Sequence, residues 1–374
     1  MMKITVVGGG NVGTLVAGEF TKKGNEVTIY TRDKSKWSDK ITVLDRDTDS
    51  EYTYTPYKIT EDIKEAVSEA EIVFVTMPAM AIKKFILSCH EYIRPNTWVG
   101  FYPGTGGIEF ICSELIKKGC VIFGTQRISS VIRLKKYGEY VITSGKRKEL
   151  FLGTIPQNMV NVVSDKMSEL LDIKINALPN YLNVTLIPSN PILHPSRLYS
   201  IFKDYEKDKV YENVPMFYEN WNDDSSKCLI SCDEELHKIL DVIKMDTSYI
   251  RPLLEHYEST DYKSLTKKIC SINSFKGITT PSLKVDGGYI PDFNDRYFTA
   301  DFPYGLIIIK AFGLICNIMT PNIDKIILWY QNIVGKEYIN FSLNTLGKDS
   351  YELSLPQLYG INTVLEIEKY YTER

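Results

Sequence analysis

Ile4-Thr5-Val6-Val7-Gly8-Gly9-Gly10-Asn11-Val12-Gly13 is a short apolar run that breaks into glycines. From Asn11 to Lys23 the apolar residues Val12, Leu15, Val16 and Phe20 then recur at helical spacing. The stretch reads as strand, turn and helix, and Gly8, Gly10 and Gly13 fit G-x-G-x-x-G in the one setting where that spacing has a mechanism. Gly8 permits the tight turn, Gly10 lets backbone approach a pyrophosphate, and Gly13 lets helix and strand pack closely. The free amides of the helix start, at Asn11 and Val12, receive anionic oxygens. A glycine-rich turn that binds nothing is the bland alternative, and the strand–turn–helix context argues against it.

Outward from this stretch, Glu26 to Tyr30 reads as a second strand, Thr60 to Ala70 as a helix, and Ile72 to Thr76 as a third strand closing at Met77-Pro78. Trp98 to Tyr102 and Cys120 to Phe123 read as further strands, and Asn183 to Ile187 as a last one before Pro188. Strands alternating with helices predict a parallel sheet with right-handed crossovers. The fold class is α/β, with a doubly wound Rossmann-type dinucleotide-binding domain over residues 1–187. Asp45 to Tyr57 reads as an exposed loop or edge hairpin. From 188 to 374 the character changes, because Ser225 to Met245 and Phe302 to Met319 carry helical periodicity and strand signals are few. A mostly α-helical catalytic and substrate domain is expected there.

Composition narrows the partners. The 374 residues, 44% hydrophobic, can fill two cores. With 44 basic against 47 acidic residues and a formal charge of -3, the chain has no electrostatic footprint for nucleic acid or an anionic membrane. Seven cysteines without a disulfide spacing point to a reducing compartment, and a cytoplasmic protein is expected. Met1-Met2-Lys3 passes straight into the first strand with no secretory pattern, and the most apolar run, Tyr304 to Ile318, is interrupted by Lys310 and reads as a buried helix.

The end of the second strand bears on the choice of cofactor. An acidic residue there would accept hydrogen bonds from the ribose of NAD, but the sequence reads Tyr30-Thr31-Arg32. A hydroxyl followed by a guanidinium suits a 2′-phosphate, so NADP is favoured; Arg32 as a solvated charge with Asp33 serving the ribose of NAD is the alternative. Met77, Pro78 and the turn Gly104-Thr105-Gly106-Gly107 follow strands at the edge where ligands sit, and line the nicotinamide side or are ordinary turn residues.

Three later segments are more specific: Ser189-Asn190-Pro191-Ile192-Leu193-His194-Pro195, Phe217-Tyr218-Glu219-Asn220-Trp221, and Arg296-Tyr297-Phe298-Thr299-Ala300-Asp301-Phe302-Pro303-Tyr304-Gly305-Leu306. With the glycine loop they make the chain resemble the octopine and opine dehydrogenase family, of the ketopantoate reductase-like superfamily. The resemblance implies that His194 and Asp301 form the catalytic pair, and Ala300 stands where the family often has an acidic residue. The chemistry agrees. Reducing an imine built from an amine and a keto acid needs proton transfer, imidazole titrates nearest neutrality, and a carboxylate on its far nitrogen fixes the tautomer. A capping or core histidine between two prolines is the structural alternative.

Arg296 suits a substrate carboxylate, a role the resemblance also implies; a surface salt bridge to Asp292 or Asp295 is the alternative. Asn190 is a candidate for positioning substrate or nicotinamide, with Arg133, Gln126 and Trp221 weaker pocket candidates. Cys228 and Cys232, followed by His237, could suggest a metal, but on a helix the two cysteines share a face as small core residues, and no metal site is expected. The reading is an NADP(H)-dependent reductive condensation of an amino acid with a 2-keto acid in the cleft between domains, with a homodimer as the candidate assembly. The alternatives are reduction of a free keto acid in the manner of ketopantoate reductases, which rely on a lysine (Lys284 is the one near a substrate segment), and a nucleotide-sensing module without catalysis.

Overall fold

In the computed structural model, which describes residues 1–207 and 209–373, the opening stretch forms strand β1 (Lys3–Val7) and helix α1 (Asn11–Lys22). Strand β2 (Glu26–Tyr30) lies parallel to β1. The chain then makes an antiparallel hairpin, β3 (Ile41–Asp45) and β4 (Ser50–Tyr54), where an exposed loop or edge hairpin was expected. Strand β5 (Lys58–Thr60) and helix α2 (Ile63–Val67) follow. The expected helix over Thr60 to Ala70 is therefore shorter, because Asp62 caps it by accepting from the Glu65 amide and the residues before the cap pair with β2.

Next come β6 (Ile72–Val75), α3 (Ala79–Cys89), β7 (Trp98–Phe101), the short helices α4 (Ile108–Ile111) and α5 (Ser113–Lys117), and β8 (Val121–Thr125). Beyond them lie β9 (Val131–Lys136), β10 (Tyr140–Ser144), β11 (Glu149–Ile155), α6 (Val160–Leu171), β12 (Lys174–Ala177) and α7 (Leu182–Thr185). The main sheet has the order β12-β11-β8-β7-β6-β1-β2-β5. From β1 the chain builds outward through β2 to β5, then returns to β6 and builds the other way. The strand order thus reverses between β1 and β6, where open α/β sheets bind ligands.

Two expectations about this region are corrected. The sheet is not wholly parallel, since β11 runs antiparallel to β8. Asn183 to Ile187 is not its last strand. Leu182–Thr185 is a helical turn, with the Val184 and Thr185 amides both bonded to the Tyr181 carbonyl. Every residue there is buried, so apolar alternation could not separate strand from helix. A second sheet, β4-β3-β10-β9, was not foreseen. The core between sheets and helices is aromatic and aliphatic, with Phe20 edge-on to Phe74 at 5.1 Å. Each such side chain is worth about 1.5–3 kcal/mol when fully buried.

This first unit runs from Met1 to Thr185 and takes in the residues from Lys369 on; the second runs from Leu186 to Glu368. The sequence reading placed the change at 187/188 and carried the second domain to 374. The returning tail is held by Tyr370 and Tyr371, whose hydroxyls donate to the Glu109 carbonyl and carboxyl oxygens.

The second unit is mostly helical: α8 (Ser189–Phe202), α9 (Asp223–Val242), α10 (Leu253–His256) and α11 (Tyr262–Ser271) precede a hairpin of β13 (Ser282–Val285) and β14 (Gly288–Pro291). Helices α12 (Arg296–Thr299), α13 (Ile307–Ile315) and α14 (Pro321–Val334), the small pair β15 (Ile339–Asn340) and β16 (Thr345–Leu346), and α15 (Val364–Thr372) complete the chain. Helix α9 begins where Asn222 accepts from the Ser225 amide, with Asp223 and Asp224 at its positive end.

The expected helix from Phe302 to Met319 is interrupted. Pro303 has no amide to donate, Tyr304 leaves helical dihedrals (φ -104°, ψ 16°), and the Leu306 amide reaches back to the Asp301 carbonyl in a widened turn. Lys310 is itself buried, paired with Asp324 at 2.7 Å. Among the described residues one helical run, Arg296–Ile315, is long and apolar enough to cross a membrane, and 67% of its most apolar window lies buried within the unit.

Candidate active site

In the first unit the glycine loop follows β1, and the Thr76-Met77-Pro78 turn follows β6 beside it. Gly8 has φ +106°, and a Cβ on Gly13 would stand 1.8 Å from the Gly8 carbonyl oxygen, so both positions require glycine. Gly10 is the reverse case: a Cβ there would meet nothing within 4 Å, which leaves the start of α1 open to a ligand. No side chain caps that helix. The loop fits a dinucleotide pyrophosphate, with free amides at a twelve-residue helix start and open space in front of them.

Asn11 and Val12 lie at this start, but the Asn11 carboxamide is engaged, accepting from the Leu134 amide at 2.9 Å. Thr76 bonds the Val7 carbonyl at 3.0 Å, Met77 is half-buried beside Gly8, and Pro78 is exposed.

The structure divides the residues after β2. Thr31, expected to face a phosphate, is buried, and its hydroxyl contacts Tyr137 at 3.1 Å and the Trp37 indole at 3.3 Å. Asp33 is occupied by its own turn, where it accepts from the Ser35 amide and pairs with Lys36 at 3.0 Å. Arg32 is exposed.

In the second unit α8 carries His194, 4% exposed. Its Nδ1 lies 2.7 Å from Asp301 Oδ2, although 107 residues separate them. Their segments touch because Gly305 has no Cβ: one there would stand 2.9 Å from Pro191 Cβ. A carboxylate only accepts, so the neutral ring carries its proton on Nδ1. Its Nε2 is 2.8 Å from the Tyr218 hydroxyl, and Tyr297 stacks on the ring face at 3.8 Å and 21°. Burial pushes the Tyr218 phenol well above its usual range, so Tyr218 is the donor to Nε2.

Arg296 is exposed and lies over the Tyr297 ring at 5.4 Å. It lines a recess of about 300 Å³ with Thr279, Ser282, Asp292, Asp295 and Tyr297. Among the described residues it forms no ion pair with Asp292 or Asp295, and Asp295 instead caps α12 through the Tyr297 amide. Asn190 is exposed near the start of α8.

The weaker candidates have structural duties. Gln126 donates to the Asn183 carbonyl, Arg133 to the Ile132 carbonyl, and Trp221 to Ser226. Cys232 is buried on α9 and Cys228 half-buried. Among the described residues no group of three His, Cys, Asp or Glu side chains is placed for a metal ion. Sequence reasoning quoted Tyr218 without assigning it a role and did not mention Arg197; a tyrosine or arginine gives no local sign of which buried partner it will meet.

A doubly wound unit with an open glycine loop, joined to a helical unit carrying a buried histidine–aspartate pair, defines a nicotinamide-dependent oxidoreductase. Comparison with known proteins agrees. Residues 177–334 match the family model of the NAD/NADP octopine/nopaline dehydrogenase alpha-helical domain, and residues 4–153 that of ketopantoate reductase PanE/ApbA. The octopine dehydrogenase of Mizuhopecten yessoensis is 28% identical over 97% of both chains, and the tauropine dehydrogenase of Arabella iricolor 28% over 97% of this chain and 99% of its own. A solved octopine dehydrogenase, holding NADH and L-arginine, superposes with a TM-score of 0.86 at 26% identity over 98% of both chains. Over nearly its full length the chain is thus similar to the octopine and opine dehydrogenases.

Proposed function

We propose that the protein joins an amino acid to a 2-keto acid by reductive condensation, with His194 as the proton donor and acceptor and Asp301 as its orienting carboxylate. The observation that carries this is the 2.7 Å contact between His194 Nδ1 and Asp301 Oδ2, which makes Nε2, bonded in this structure to the Tyr218 hydroxyl, the nitrogen that carries the working proton. Attack of the amine on the keto carbonyl gives a carbinolamine, and a proton from Nε2 to its oxygen lets water leave and the imine form. Asp301 stabilises the charged ring before that transfer. Arg296 anchors a substrate carboxylate through its fork of donors. The glycine loop and the α1 amides would hold the pyrophosphate of the dinucleotide, whose nicotinamide would supply the two electrons that the imine carbon takes up.

NADP is the proposed cofactor. Asp33 is turned into its own cap and ion pair, which leaves Arg32 as the charged group free to meet a 2′-phosphate. The relatives do not fix this choice for the present chain: the octopine dehydrogenase structure holds NADH.

The test is oxidation of NADPH and of NADH with pyruvate or 2-ketoglutarate, with and without each amino acid. Turnover that depends on the amine, with a product whose mass is the sum of the two substrates less one oxygen, is expected. Oxidation without amine would instead make the protein a reductase of free keto acids. Lys284, the lysine weighed for that chemistry, lies exposed on β13 opposite Tyr289. Cofactor binding without turnover would make it a sensor.

A further inference from the structure

Arg197 follows His194 by one helical turn on α8 and is 1% exposed. A buried guanidinium usually has a carboxylate beside it, because an unpaired buried charge is costly. Among the described residues Arg197 has no such ion pair. Its Nε donates to the Phe217 carbonyl at 2.9 Å, its Nη2 to the carbonyls of Asn220 at 2.7 Å and Met216 at 3.3 Å, and its Nη1 to Ser225 Oγ at 3.0 Å. Those carbonyls flank Tyr218 on both sides. Burial lowers the guanidinium to about 10, so it stays charged at neutral pH.

The segment is tied down elsewhere as well. The Phe217 amide donates to the Ile278 carbonyl at 2.9 Å, the Gly277 amide to Glu219 at 2.7 Å, and the Tyr218 ring stacks on Phe275 at 4.1 Å. The Tyr218 hydroxyl therefore reaches His194 Nε2 from a fixed ring.

We propose that Tyr218 and Arg197 are positioning residues for the reaction: Tyr218 holds His194 from the Nε2 side, and Arg197 holds the backbone that delivers Tyr218. This rests on His194 acting as the proton donor. The Tyr218 hydroxyl donates to Nε2 of the neutral ring and, with its own proton turned away, accepts from Nε2–H of the charged one, so it holds the ring in both states. A residue that holds the proton-transfer group, and not the substrate, acts on kcat and leaves KM unchanged. The ring is then held on three sides: by Asp301 at Nδ1, by Tyr218 at Nε2, and by Tyr297 on its face.

Tyr218→Phe removes the hydroxyl and keeps the stacked ring. Its kcat should fall about tenfold, the scale of one hydrogen bond to a reacting group, with the KM of both substrates unchanged. Arg197→Lys keeps the charge but loses the fork. It should lower kcat in the natural background and add little in the Tyr218→Phe background, because both changes act through one hydroxyl. Unchanged kcat in Tyr218→Phe, a raised KM with kcat intact, or losses that multiply in the double variant would overturn the proposal; if Arg197→Lys does not fold, Tyr218→Phe alone decides. His194→Ala serves as the reference. If it is inactive while Tyr218→Phe is normal, only this inference fails; if it is active, the reading beneath it fails too.

Discussion

At the glycine loop the chain offers its ligand backbone amides from one continuous stretch, whereas around His194 it offers side chains brought from segments up to 107 residues apart. The first arrangement depends on what is missing: no Cβ at Gly13, open space at Gly10, no side-chain cap on α1. The second depends on what is packed in, namely Asp301, Tyr218 and Tyr297 on one imidazole. On the proposed reading a loop of amides would bind without choosing a reaction, and a buried proton-transfer group would perform one without holding the dinucleotide. Substitutions in the two regions should therefore separate binding from turnover.

The largest separation is expected at His194. His194→Ala should lower turnover by about 10² to 10⁴ with the dinucleotide dissociation constant unchanged, measured by steady-state kinetics and by quenching of tryptophan fluorescence. Near-normal turnover would break the contrast at its root.

Glu109 is a buried carboxyl within the first unit, as is Glu19, and it joins the returning tail. Thr185 and Tyr371 donate to its Oε1, Oε2 has no hydrogen-bond partner among the described residues, and burial raises the carboxyl to about 7 from 4.5. The folded protein therefore keeps a proton that the unfolded chain releases above about pH 4.5. The stability tied to that proton is full below this value, is lost as pH rises to about 7, and is level beyond. At about 1.4 kcal/mol per pH unit the loss is roughly 3 kcal/mol. Glu109→Gln keeps an acceptor for both hydroxyls and should flatten this component, seen in urea unfolding at about pH 5 and about pH 8. An equal slope in the variant would show that the tail is anchored without a titrating carboxyl.

Gly13→Ala tests the region built on absence. A methyl group 1.8 Å from the Gly8 oxygen and 2.7 Å from Thr76 Oγ1 must push backbone aside. Stability should fall by about 1–3 kcal/mol and dinucleotide affinity with it. A variant that still binds normally would mean that the loop approach is not tight.

What was legible in the sequence follows the same division. The strand, glycine loop and helix of residues 3–22 are set by local pattern and were read to within a residue or two, as was Glu26–Tyr30. His194 and Asp301 were found through the segments around them. Spacing alone joins no two residues across that distance, and the reason they meet, Gly305 against Pro191, is invisible before folding. The β9–β10 hairpin was missed although its own pairing is local, and its attachment to the distant β3 through β10 has no local signal; the α7 turn was taken for a strand because a segment buried all round has no face to betray its period. Thr31 looked like a ligand contact by its place after β2, yet Trp37 and Tyr137 close over it.

The smallest expected effect lies at Arg32, the side chain proposed to give the backbone region its selectivity. Asp33 accepts from Ser35 and Lys36, and so is not free for a ribose hydroxyl without giving up its cap and ion pair. Arg32 carries the positive charge beside it. A single charge-assisted contact to a 2′-phosphate, on an exposed side chain and partly screened by salt, is worth about tenfold in affinity. Arg32→Ala should thus reduce the ratio of kcat/KM for NADPH over NADH about tenfold by weakening NADPH alone. The loss should shrink as ionic strength rises, because screening acts on the charge and not on the shared pyrophosphate contacts. If the natural protein prefers NADH, or if the variant changes both cofactors equally, Arg32 is a solvated charge and the selectivity lies in the same backbone that binds the rest.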